Sequence, residues 1–240
     1  MRLSRLQRLL ASASLILFTT CGVATGSRHE TFAEFLKRHN IELTEAGLVA
    51  ALKNPDPEVR DNAAAELAGE KVLTAIPAMK EAFAAEKDPG MQVNIAYAIA
   101  QMGDKDGSVA LKRLCDTAPA SPRLKAALYM LRLNDESCLD AVMSILRAEP
   151  GGDHAHVEAA LSLVSSFHNL EPLDEQRLIA LTVKLLADPS PSVRMTASQA
   201  LEQVGDTDVV PSLKKAIADE TDQVARSFMQ AELQKLKARE

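Results

Sequence analysis

A chain of 240 residues with 27 basic and 33 acidic side chains carries a net charge of −6, a balance that excludes general nucleic-acid binding, which draws most of its affinity from neutralised phosphates. A hydrophobic fraction of 47% suffices for a sizeable core, yet only 3% of the residues are aromatic and none is Trp. The apolar load falls mainly on Ala, Leu, Val, Ile and Met; Ala and Leu favour helices and let them pack closely, so the composition leans to an all-α fold.

Residues 1–24 read as a secretory signal peptide. Arg2, Arg5 and Arg8 form a basic start, Leu9 to Phe18 is an apolar run of 10 residues, and small residues follow up to Ala24. The run is too short for a comfortable membrane span. Two processing routes compete. Cleavage after Ala24 uses Gly22 and Ala24 as the small residues that a signal peptidase reads. Alternatively, Phe18-Thr19-Thr20-Cys21 resembles a lipoprotein box in which Cys21 is lipidated, although Phe18 and Thr20 depart from its usual pattern. The small-residue site fits better, so the expectation is a soluble, periplasmic or extracellular product, with a membrane association only if Cys21 carries lipid. Removing three arginines and no acid takes the charge from −6 to −9.

Residues 25–43 form a linker and an N-terminal capping helix, with Phe32, Phe35 and Leu36 on one face. From residue 44 to residue 240, self-similarity dominates. Asn54-Pro55-Asp56-Pro57-Glu58-Val59-Arg60 matches Asp188-Pro189-Ser190-Pro191-Ser192-Val193-Arg194. A weaker copy starts at Asp88-Pro89 and ends in Gly103-Asp104, echoing Gly205-Asp206. The first apolar residues of the second helices, Val59, Met91, Leu124, Val157, Val193 and Val224, are spaced by 32, 33, 33, 36 and 31, which makes six helical hairpins. Where the turn carries proline, it stops the first helix and biases its predecessor away from it. Asp188 or Ser190 then offers an oxygen to free amides of the next helix. Gly103 and Gly205 are placed to end second helices through a positive φ. Pro77 and Pro211 sit in first turns, where a missing amide costs little.

The Pro-rich turn, Val-Arg, Ala-rich second helix and Gly-Asp resemble the HEAT family, specifically the short bacterial HEAT-like repeats also seen in phycobilisome lyases. The resemblance covers roughly residues 44–238 and implies an all-α, right-handed α-solenoid of about six hairpins behind a capping helix. Such folds typically act through surface contact. In families like this, the Arg after the turn, here Arg60 and Arg194, ties one repeat to the next through an acidic partner.

Catalytic constellations are absent from the sequence: it has no GxGxxG, GxxxxGK, GxSxG or HExxH. His154 and His156 lie two apart at a helix start, where such side chains diverge, and read as a solvated pair. Cys115 and Cys138 are expected at opposite edges of the stack, too far apart to bridge, and so are read as two small buried hydrophobes. No metal site and no cofactor is expected. One helix stands apart. Residues 121–133 contain Arg123, Lys125 and Arg132 without an acid, and Lys125, Tyr129 and Arg132 fall on one narrow stripe at 100° per residue. A tyrosine flanked by two cations has the composition of an interface anchor, best suited to an acidic or extended protein segment. The sequence therefore predicts a non-catalytic, exported scaffold for protein partners. The alternatives are an enzyme or cofactor carrier using the concave groove and a structural subunit of a larger assembly.

Overall fold

Aspartate and proline together start two of the second helices, at Asp56-Pro57 and Asp88-Pro89. Asp56 accepts from the Glu58 amide and Asp88 from the Met91 amide at 2.9 and 2.8 Å, while Pro57 and Pro89 occupy the first turn behind them. The computed structural model describes residues 30–147 and 153–239. The signal segment and Cys21 lie outside the described residues.

Thirteen α-helices follow one another among those residues. They are α1 Phe32–Arg38, α2 Glu45–Ala51, α3 Pro57–Gly69, α4 Ile76–Ala85, α5 Pro89–Gln101, α6 Lys105–Thr117 and α7 Ala120–Arg132. After these come α8 Leu139–Leu146, α9 His154–Val164, α10 Pro172–Lys184, α11 Pro191–Val204, α12 Val210–Asp219 and α13 Gln223–Lys237. The described residues contain no strand. From α2 onward the helices pair into six hairpins, and the second helices stack as a continuous row, α3–α5–α7–α9–α11–α13. The capping helix α1 packs on α3 and so extends that row by one place. Leu36 anchors it with no exposure, whereas Phe32, expected on the same buried face, is 54% exposed.

Alanines at the centre of the row, Ala63, Ala96, Ala126, Ala160 and Ala197, are fully buried and allow the backbones to approach. Leucines fill the seams on either side: Leu67, Leu111, Leu161, Leu201 and Leu213 are completely covered. The last helix ends the stack with polar groups. Arg194 and Arg226 are equivalent, each reaching a carbonyl six residues back. Counting from them, buried Ser198 and Glu202 of α11 correspond to exposed Gln230 and Gln234 of α13, the polar outer surface that a terminal repeat needs.

Turn chemistry follows the sequence with two corrections. Asp188 holds the Ser190 amide at 2.8 Å, but Ser190 makes no side-chain cap. Gly103 adopts φ 86°, as expected, whereas Gly205 stays at φ −72°. Its constraint is space, since a Cβ there would stand 2.5 Å from the Leu201 carbonyl oxygen and 2.8 Å from Cγ2 of Val209.

Arg60 and Arg194 do join repeats. Arg60 donates Nε and Nη2 to Glu86 at 3.0 and 2.8 Å, and Nη1 to the carbonyls of Asn54 and Pro55. Arg194 repeats the pattern, with both donors 2.6 Å from Glu220 and Nη1 on the carbonyls of Asp188 and Pro189. Each guanidinium thus clamps its own turn and the acid that ends the next hairpin's first helix. The Glu220 side chain is 1% exposed. The Arg194 hydrogen bonds, working against burial, hold its carboxyl down at about 2.

The cysteine reading is overturned. Cys115 and Cys138 form a disulfide with a Cα–Cα distance of 5.9 Å, inside the range such a bond tolerates. The expectation assumed that α8 begins level with the start of α6. Instead α8 has 8 residues against 13 in α6, and the connector from Leu133, turned by Asn134 at φ 59°, carries Cys138 alongside the last turns of α6. Lys112 of α6 donates to the Ser137 carbonyl and marks that crossing.

Two predictions follow from these links. Arg194→Ala leaves Glu220 buried without its cation and should lower unfolding free energy by about 3–5 kcal/mol in urea titration. Because the folded Glu220 pKa lies below its unfolded value of 4.5, its stabilisation is complete above that pH and fades as pH falls toward about 2. Glu220→Gln should remove that component, so an acid limb as steep as wild type would refute the assignment. For the disulfide, which closes a loop spanning 23 positions, Cys115→Ala with Cys138→Ala should lower stability by about 2–4 kcal/mol, and reductant should do the same to wild type alone. A urea midpoint indifferent to reductant would show that the bond is not formed.

Candidate functional site

The helix α7 has no charged residue but cations, and the packing of its neighbours decides which of them are free. Leu124, Ala126, Ala127 and Met130 turn into the core, with Leu128, Leu131 and Leu133 partly covered beside them. That fixes the opposite stripe. Lys125 and Tyr129 are half-buried and Arg132 is exposed. The Lys125 ammonium lies 5.8 Å and the Arg132 guanidinium 5.5 Å from the Tyr129 ring centroid, both within cation–π range. Arg123 is committed elsewhere, donating to the Ala118 carbonyl at 3.0 Å and to Ser144 Oγ of α8 at 3.2 Å. The three residues singled out in the sequence are therefore together.

Three others belong with them. Tyr97 of α5 stacks on Tyr129 with centroids 4.0 Å apart and planes at 14°. The Tyr129 hydroxyl donates to Oδ1 of Asn94 at 3.4 Å, and the Asn94 side chain also lies beside Asp61 of α3. Burial raises the Asp61 carboxyl pKa, opposed by the Asn94 side chain and the nearby Lys125 charge. Burial, followed by the Asp61 charge, raises that of the Tyr129 hydroxyl. The cluster thus crosses three consecutive second helices. A signal for it exists in the sequence: Tyr97 and Tyr129 are the chain's two tyrosines, 32 positions apart, and Asp61 and Asn94 are separated by 33, both one repeat period.

Elsewhere the polar groups hold structure. His156 Nδ1 pairs with Asp153 at 2.6 Å, whereas His154 Nε2, buried without a hydrogen-bond partner among the described residues, stands 3.6 Å from buried Asp188, so the two rings do not converge on one ligand. The Glu136 carboxylate caps the His168 and Asn169 amides at 2.9 and 3.1 Å. Among the described residues no three His, Cys, Asp or Glu side chains are grouped to hold a metal ion, and no helix is long and apolar enough to cross a membrane. The α3–α5–α7 cluster brings together a stacked aromatic pair, two cations, an amide and a carboxylate.

No curated protein sequence matches the chain. Among solved structures, it is similar to an engineered protein at 19% identity and a TM-score of 0.48, over 81% of this chain and 96% of that one. It is also similar to a structure of the complex of CpcE and CpcF of phycocyanin lyase from Nostoc sp. PCC7120, at 17% identity and a TM-score of 0.37, over 81% of this chain and 95% of that one. The family model for HEAT repeats matches residues 45–132 and 157–233, well over half of the sequence and all six hairpins in part. With its stacked second helices and repeated arginine clamps, the chain belongs to the HEAT-repeat family.

Proposed function

We propose that this HEAT-repeat chain is a non-catalytic adaptor or scaffold of the bacterial envelope, which holds a protein partner against its row of second helices. The observation that carries the reading is the Tyr97–Tyr129 stack flanked by Lys125 and Arg132 on a chain of net charge −6. An aromatic pair gives a large contact area at little entropic cost, and cations beside it steer an acidic segment. Tyr129 already rests on Tyr97, so the contact surface is the pair rather than a single projecting ring. The export part of the reading is supported by the basic start, apolar run and small residues of 1–24, and by a buried disulfide, a bond that persists in oxidising compartments.

Each part has its own test. Intact mass of the exported product should place the N-terminus at Thr25. A diacylglycerol-modified Cys21 would make the protein membrane-anchored instead, and retention of Met1 would reject export. For binding, a partner is first captured from envelope extract and purified. Tyr129→Ala should then weaken its affinity by about 2 kcal/mol, roughly thirtyfold in Kd. Lys125→Ala with Arg132→Ala should mainly slow association and flatten its salt dependence. Affinity and salt dependence equal to wild type in all these variants would reduce the patch to a solvated surface.

A further inference from the structure

The three adjacent second helices α3, α5 and α7 differ in charge in a fixed order. Helix α3 carries the carboxylates Glu58, Asp61 and Glu66 and a single arginine, Arg60, which is engaged by Glu86 and by two turn carbonyls. Helix α5 contains no Asp, Glu, Lys or Arg in its 13 residues and presents Asn94 and Tyr97 to the cluster. Helix α7 carries Arg123, Lys125 and Arg132 and no acid. Arg123 is tied into the scaffold, and Lys125 lies within the field of Asp61. Arg132 makes no ion pair among the described residues, and its guanidinium is on the exposed side of the tyrosine stack. The order acidic, neutral, basic is held because α3 packs on α5 and α5 on α7, with Asn94 bonded to Tyr129 of α7 and beside Asp61 of α3.

We propose that the protein segment held on this row is bipolar, with a basic residue at the end over α3, an uncharged stretch over Asn94 and Tyr97, and an acidic residue at the end over α7. The inference rests on the reading that the row binds a protein segment, and adds the charge order of that segment. Packed helix axes stand about 8–10 Å apart, so α3 and α7 are separated by roughly 18 Å, which an extended strand at about 3.3 Å per residue spans with some five or six residues. A uniformly acidic segment would satisfy Arg132 but bring carboxylates against Asp61. A uniformly basic one would meet the reverse conflict at Arg132. Such like-charge contacts are how a surface rejects wrong partners. Asp61 here is a specificity residue, since it penalises the acidic competitor without being needed to attract an acidic end to α7.

The test uses the full mature chain and capped synthetic peptides in calorimetric titration at low salt. One peptide has lysines at one end, aspartates at the other and about five uncharged residues including a tyrosine between them. A second reverses its chain direction, and a third and a fourth place aspartates or lysines at both ends. At least one bipolar peptide should bind about tenfold more tightly than the all-acidic one, in keeping with a few exposed ion pairs. Asp61→Asn, nearly isosteric and checked for folding by its helical signal, should abolish that preference by raising affinity for the all-acidic peptide. If the all-acidic peptide binds wild type as tightly as both bipolar ones, the charge order is wrong while the docking role of α7 stands. If no peptide binds wild type more tightly than a variant combining Tyr129→Ala and Arg132→Ala, the docking role itself falls, and this inference with it.

Discussion

A helical hairpin with a wide apolar face hides it only against the next hairpin, so the register between successive second helices is the constraint on which everything else here depends. Burial alone would let one helix slide along another, because leucine seams and alanine contacts are tolerant of small shifts. The Arg194 guanidinium is not. It is directional, planar and used on three groups at once: the Glu220 carboxylate and the carbonyls of Asp188 and Pro189. Only one registration of α11 against the end of α12 satisfies them all. The Arg60 clamp repeats that geometry with the same 26-residue reach, which makes the repeat spacing a chemical quantity as well as a sequence statistic.

Fixed register is also what creates the candidate site. Residues one period apart, unremarkable in the linear chain, become neighbours across the row. Tyr97 reaches Tyr129, and Asn94 touches the side chains of both Asp61 and Tyr129, only because α3, α5 and α7 are stacked without slip. A one-turn displacement of about 5.4 Å would separate the rings and leave Asn94 with neither partner.

The fold was legible in the sequence because each part of it has a local cause. Proline, a capping aspartate and an apolar stripe each act within one or two turns, so their spacing reveals the hairpins without knowledge of the packing. The matching seven-residue stretches showed that Arg60 and Arg194 are equivalent, but their ladder role came from the resemblance to the HEAT family, because the acidic partners lie 26 residues away. What escaped depends on geometry between repeats. The Cys115–Cys138 bond hinges on how far α8 is shortened and how its connector crosses α6, neither of which periodicity reports. Gly205 was misread because its need is for space against Val209, a tertiary contact, while its φ is ordinary. The α7 stripe was found from a helical wheel, but its partners on α3 and α5 required the repeats to be aligned position by position.

The disulfide and the site are mechanically related. Cys115 lies near the end of α6 and Cys138 just before α8, so the bond ties together the first helices on either side of α7 in the stack. Arg123 adds a second grip, holding α7 to the end of α6 at Ala118 and to Ser144 in the last turn of α8. The helix that presents Tyr129 and Arg132 is therefore fastened at its beginning and along its back, while its other face stays accessible. Under the proposed docking role, a surface held in this way loses little further freedom, and more of the contact energy is left to appear as affinity. The cross-link joins the third and fourth hairpins, rather than either end of the solenoid, and so fastens the basic helix α7 on the side away from the neutral helix α5.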